Sequence, residues 1–94
     1  MFAFCSKMIE KEIEVVNNAG IHTRPASMIV KLTAKFKSDI FLIRDGFSIN
    51  AKSIIGVMTL AAEKGAKLII RADGEDEKEA VEALAKLFAD GFGE

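Results

Sequence analysis

His22, Thr23, Arg24 and Pro25 bring an imidazole and a guanidinium against a proline, and the histidine and the proline are each the only one of their kind among 94 residues. Neutral imidazole is a nucleophile near neutral pH, and the planar guanidinium fork matches the oxygens of a phosphoryl group. Pro25 fixes its own φ at a helical value and lacks an N–H that a first helical turn leaves unpaired, so it suits helix position one or two. The residue before a proline avoids the α region, which places His22 to Arg24 at a helix mouth. Free backbone N–H groups and about half a positive charge gather there and make an anion site. Nucleophile, anion cradle and cation together describe a side chain able to carry a phosphoryl group. The plain alternative is that a lone histidine is an ordinary surface or satisfied core residue.

The elements that must hold this group follow from periodicity. Ile9, Lys11, Ile13 and Val15 alternate with Glu10, Glu12 and Glu14, which predicts a half-buried strand to about Val16. Asn17 to Gly20 breaks it. A helix from about Pro25 to Phe36 carries Ala26, Ile29, Val30, Thr33 and Phe36 on its core stripe, with Met28 off that stripe. A second strand runs from Asp39 to Arg44, and Asp45-Gly46 turns it in a two-residue hairpin into a third, from Phe47 to about Ala51. Ser53 is placed to cap a second helix running to about Lys64, where Gly65 stops it. Lys67 to Ala72 reads as a fourth strand, ended by Asp73-Gly74.

The third helix starts at Asp76, with Glu79 in a capping-box-like position. It carries Ala80, Val81, Leu84, Leu87 and Phe88 inward and stops near Gly91. The order β-α-β-β-α-β-α favours an α+β layer pair, with helices on one face of a sheet. Strand order stays open at this level, because a ferredoxin-like sheet has the same element order.

Composition sets the outer limits. The length suits one domain with one core. Half the residues are hydrophobic and the net charge is −1, as in an ordinary soluble globular protein. The 13 basic residues are spread among 14 acids, which argues against a nucleic-acid surface. The single cysteine, Cys5, can form neither an internal disulfide nor a metal site and fits a reducing cytoplasm. No apolar run is long enough to insert in a membrane. Residues 1–7 are apolar but lack the charged start and long apolar run of a signal peptide.

Gly20-Ile21-His22-Thr23-Arg24-Pro25-Ala26-Ser27 resembles the active-site signature of the HPr family, the histidine-containing phosphocarriers of the phosphoenolpyruvate-dependent sugar phosphotransferase system. Asn50 to Leu60, with Lys52-Ser53-Ile54 at its centre, resembles that family's second signature, around a regulatory serine. The resemblance runs from about Met8 onward, so residues 1–7 are expected to be an extension, disordered or not translated, ahead of one domain over 8–94.

It implies an open-faced β-sandwich: a four-stranded antiparallel sheet of order 1-4-2-3 with three helices on one face. It also implies a carrier rather than an enzyme. His22 would take the phosphoryl group through Nδ1 from phosphorylated enzyme I and give it to the A domain of a sugar-specific enzyme II, with Arg24 neutralising part of its charge. Ser53 would be phosphorylated where the host has HPr kinase/phosphorylase, which hinders enzyme I; its structural role as a helix cap is compatible with that.

Thr23 stands where many relatives have alanine and is expected to be a tolerated side chain at the partner surface, beside Pro25. Ser27 reads as a plain helix residue. The second helix is apolar nearly all round, so Ile54, Ile55 and Met58 are expected to be exposed and to form the docking surface near His22. A monomer is the default, with no cofactor and no metal. Two rivals remain: a regulatory paralogue acting through Ser53 and a transcriptional regulator, and a ferredoxin-like module for a small ligand or RNA. Absence of Trp and Tyr weakens base stacking in the second.

Overall fold

The computed structural model describes residues 8–94; Cys5 and the expected extension at 1–7 lie outside the described residues. In chain order the elements are β1 (Ile9–Glu14), α1 (Thr23–Thr33), β2 (Asp39–Arg44), β3 (Phe47–Asn50), α2 (Ile54–Thr59), β4 (Lys67–Asp73) and α3 (Glu77–Ala89), followed by a 3-10 turn over Gly91–Gly93. The sheet order is β1-β4-β2-β3 with every pairing antiparallel, the arrangement the resemblance implies and not the ferredoxin-like one.

Alternation makes the layers. Ile40 and Leu42 on β2, Ile49 on β3, and Leu68, Ile70 and Ala72 on β4 are buried on the face the helices cover. Glu10, Glu12 and Glu14 stand on the other face of β1, opposite Arg71, Ile69 and Lys67. The helices complete the core with Ala26 and Ile29, Val57, and Ala80, Val81, Leu84 and Phe88. The expected hairpin forms, with Asp45 and Gly46 both at positive φ (52° and 82°).

Helix ends depart from expectation where distant parts of the chain act on them. α1 begins at Thr23, two residues early, so His22 is its N-cap, Arg24 is helical and Pro25 takes the third position, where an N–H is still not required. It ends at Thr33, whose hydroxyl reaches the Ala51 carbonyl at 2.9 Å, and its last residues tighten into turns from Lys35 to Leu32 and from Phe36 to Thr33. Met28, off the core stripe, still packs partly against the core.

α2 stops at Thr59 rather than near Lys64, and Ala61 adopts positive φ (47°). Two contacts impose this: the Ala62 carbonyl accepts the Ile21 N–H at 2.9 Å, and the Arg44 guanidinium donates to the carbonyls of Leu60 and Ala61.

α3 starts after Asp76 as expected, but the capping box does not form. Asp76 gives its carboxylate to the Lys37 and Ser38 N–H groups and the Ser38 hydroxyl, which together hold its pKa down at about 2, the hydroxyl contributing most. Glu77, not Glu79, reaches back, accepting the Gly74 N–H at 3.0 Å.

Candidate functional site

The site lies where the loop before α1 meets the chain after α3. Gly20 makes this approach possible: its φ is +71°, and a Cβ there would stand 2.4 Å from the Ala62 carbonyl oxygen. With no side chain in the way, Ile21 bonds Ala62 and His22 is delivered to the N-cap of α1.

At the other end, Gly91, Phe92 and Gly93 all have positive φ (61°, 57° and 74°) and turn the chain back. Phe92 is buried edge-to-face against Phe88, ring centres 5.0 Å apart, and this anchor holds an unfavourable backbone state in place. Glu94 is thereby set beside His22.

The polar geometry is compact. His22 Nε2 lies 2.9 Å from Glu94 Oε2, and Arg24 donates one N–H to the same oxygen at 3.1 Å and another to the Phe92 carbonyl at 2.9 Å. Asn17 Nδ2 donates to Glu94 Oε1 at 3.0 Å and to the Gly20 carbonyl at 2.7 Å. These donors lower the Glu94 pKa, the Asn17 hydrogen bond first and the His22 and Arg24 contacts after it. An ionised carboxylate only accepts, so in the neutral ring Nε2 carries the proton and the lone pair lies on Nδ1. Among the described residues nothing hydrogen-bonds Nδ1, and His22 is 44% exposed.

His22 does not cap its own helix; its side chain is turned to Glu94. Among the described residues nothing pairs the N–H groups of Thr23 and Arg24, and Pro25 has none. Arg24 keeps guanidinium N–H groups beyond the two in use. A ring nitrogen without a partner among the described residues, open helix N–H groups and a cation therefore stand together. Glu94, Asn17 and Phe92 are the members that sequence reasoning missed. Asn17 was legible only as a strand breaker, and Glu94, 72 positions from His22, carried no signal.

A family model described as the PTS HPr component phosphorylation site matches residues 9–90. The chain belongs to the HPr family. It is 45% identical over 87 residues to the phosphocarrier protein HPr of Treponema pallidum, which spans 93% of this chain and 99% of that one. Its fold superposes on the crystal structure of an HPr from Thermoanaerobacter tengcongensis with a TM-score of 0.88 at 42% identity, covering 92% of this chain and 97% of that one. It is also similar, with a TM-score of 0.73 and 41% identity over 87% of this chain and 94% of the other, to Crh, the catabolite-repression protein of Bacillus subtilis, whose structure shows a swapping domain in a dimer. Like the HPr proteins it matches, the protein is a phosphocarrier and not an enzyme, and its partners are those of the phosphotransferase system.

The remaining sequence candidates divide. Ser53 caps α2, its hydroxyl oxygen accepting the Gly56 N–H at 3.1 Å. Ile54, Ile55 and Met58 are exposed by 40%, 74% and 43%, as expected for a surface set. Thr23 is exposed too. Pro25, expected at the partner surface, is buried on the inward side of α1 with Ala26 and Ile29. Ser27 is an α1 residue with no functional contact.

Among the described residues no helix is long and apolar enough to cross a membrane.

Proposed function

We propose that His22 Nδ1 is the atom that carries the phosphoryl group, received from phosphorylated enzyme I and passed to enzyme II A domains. The observation that carries this reading is the pairing of Nε2 with Glu94, which leaves Nδ1 as the one ring nitrogen with a free lone pair. In the transfer Nδ1 forms a bond to phosphorus while the bond from phosphorus to the donor atom breaks, and the donor keeps that electron pair. The proton stays on Nε2. Glu94 steadies the positive charge the ring acquires, as a carboxylate does for any histidine it orients. Arg24 and the open N–H groups of Thr23 and Arg24 meet the phosphoryl oxygens. Because the acceptor is exposed, the partner completes the in-line geometry and closes out water.

The test is the intact mass of the protein after incubation with phosphoenolpyruvate and catalytic enzyme I, repeated with His22→Ala. One acid-labile phosphoryl group on the native chain alone is expected. A phosphoryl group retained by His22→Ala overturns the assignment.

Ser53 is the regulatory acceptor in the same reading, supported by its half-buried hydroxyl at the start of α2, whose exposed residues Ile54, Ile55 and Met58 form the partner surface with Thr23. Phosphate added there by ATP and HPr kinase/phosphorylase places about −2 of charge beside an apolar docking face and so weakens enzyme I binding. The similarity to Crh favours a second reading, in which Ser53 phosphorylation and binding to a transcriptional regulator dominate. It predicts phosphate on Ser53 and none on His22. We place the carrier in the cytoplasm as a monomer; size-exclusion chromatography with light scattering tests the latter, and a dimer mass sinks it.

A further inference from the structure

We propose that Asn17 is a positioning residue for phosphoryl transfer, aiming the Glu94 carboxylate at His22. The inference rests on His22 being the acceptor. A planar carboxylate is oriented by what holds each of its oxygens. Oε2 lies between the His22 ring and the Arg24 guanidinium, and among the described residues Oε1 has a single donor, the Asn17 amide at 3.0 Å. Without that donor the carboxylate can swing about its Oε2 contacts, and the line from Oε2 to Nε2 that fixes the ring is lost.

The second amide hydrogen goes to the Gly20 carbonyl at 2.7 Å, two residues before His22, so one buried side chain ties the loop carrying the acceptor to the residue orienting it. Asn17 is 5% exposed, and its Oδ1 is buried with no partner among the described residues. Rotating the amide to relieve that oxygen would aim it at two acceptors, Gly20 O and Glu94 Oε1. The side chain is therefore held by both of its donors while its acceptor goes unmet, at a free-energy cost that packing alone would not retain. Asp or Ala at position 17 cannot substitute, the first because it repels Glu94, the second because it donates nothing.

The experiment compares Asn17→Ala and Asn17→Ser with Glu94→Gln and the Asn17→Ala/Glu94→Gln double variant. Three quantities are read: the steady-state rate of phosphorylation by enzyme I, the titration midpoint of the Glu94 carboxyl by carbon NMR, and the melting temperature. Asn17→Ala is expected to lower kcat roughly three- to tenfold with KM for the carrier unchanged, to raise the Glu94 midpoint toward the ordinary carboxylate value, and to add nothing in the Glu94→Gln background, since residues acting in one network are not additive. Asn17→Ser, which keeps a small donor, should recover part of the rate and stands in if Asn17→Ala folds poorly.

A lowered melting temperature with unchanged kcat and Glu94 midpoint overturns the proposal, as does full additivity in the double variant. His22→Ala run alongside separates the two failures: continued phosphorylation of that variant removes the acceptor assignment itself, whereas its loss with normal Asn17 variants removes only the role of Asn17.

Discussion

Two helices of this protein begin on a residue in extended backbone, His22 (φ −107°, ψ −162°) for α1 and Ser53 (φ −109°, ψ 120°) for α2, and the two residues use the position in opposite ways. Ser53 folds its side chain back onto Gly56 and closes its own helix mouth. His22 turns outward to Glu94 and leaves the mouth of α1 open. The first is a closed end, the second an end that no described residue closes, which suits the proposed carrier. A carrier needs the second kind, because N–H groups already bonded to a cap cannot meet a phosphoryl group and let it go again.

Arg24→Ala attacks the open mouth where its charge matters most. Transfer from enzyme I should slow by about a hundredfold, in line with losing one preorganised donor, while the melting temperature holds; stopped-flow or quench kinetics with a thermal melt checks both. Ser53→Ala breaks the closed mouth instead, and should lower stability by about 1 kcal/mol, or roughly 4–8 °C in melting temperature for a domain of this size, with His22 still phosphorylated.

His22→Ser makes the two mouths alike. It abolishes carrying but supplies the missing cap, so chemical denaturation should show a gain of about 0.5 kcal/mol; a clear loss of stability would mean that α1 was not held open. Ile55→Ala should change stability by less than about 0.5 kcal/mol, as an exposed side chain does, and weaken binding to enzyme I measured by calorimetry.

The smallest effect is a titration. The pKa of Glu94 is lowered in the folded chain, so its ties to Asn17, His22 and Arg24 are whole above the ordinary carboxylate value near 4.5 and are lost as pH falls through the lowered one. The same sign applies to Asp76, whose latch onto Ser38 and Lys37 persists until about pH 2. Carbon NMR titration should find each carboxyl below its usual midpoint, with Asp76 at about 2.

What was legible in the sequence was what neighbours decide. Alternation set β1, Asp45-Gly46 set the hairpin, and Ser53 announced its cap. His22, Arg24 and Pro25 announced a helix mouth, although α1 starts two residues sooner than proline preferences suggest. The end of α2 was illegible, because the Ala62 carbonyl is tied to the Ile21 N–H and the Leu60 and Ala61 carbonyls to Arg44, neither partner near them in sequence. The capping box at α3 failed for the same reason: Ser38 and Lys37 claim Asp76 first. The site was half legible. Its proposed nucleophile and cation, His22 and Arg24, lie within three consecutive residues, but the groups proposed to select the reactive nitrogen, Asn17 and Glu94, are 77 positions apart.

That last separation bears on how the protein is made. His22 and Glu94 are 72 positions apart, and β1 pairs only with β4, so the reactive arrangement depends on contacts of very high sequence separation. Such contacts form late, after local hairpins and helices, because a long loop must close before they yield anything. A chain still on the ribosome, with Glu94 not yet added, has an imidazole but no oriented one. On the assignment proposed above, full competence to carry phosphate therefore waits for these long-range contacts to close.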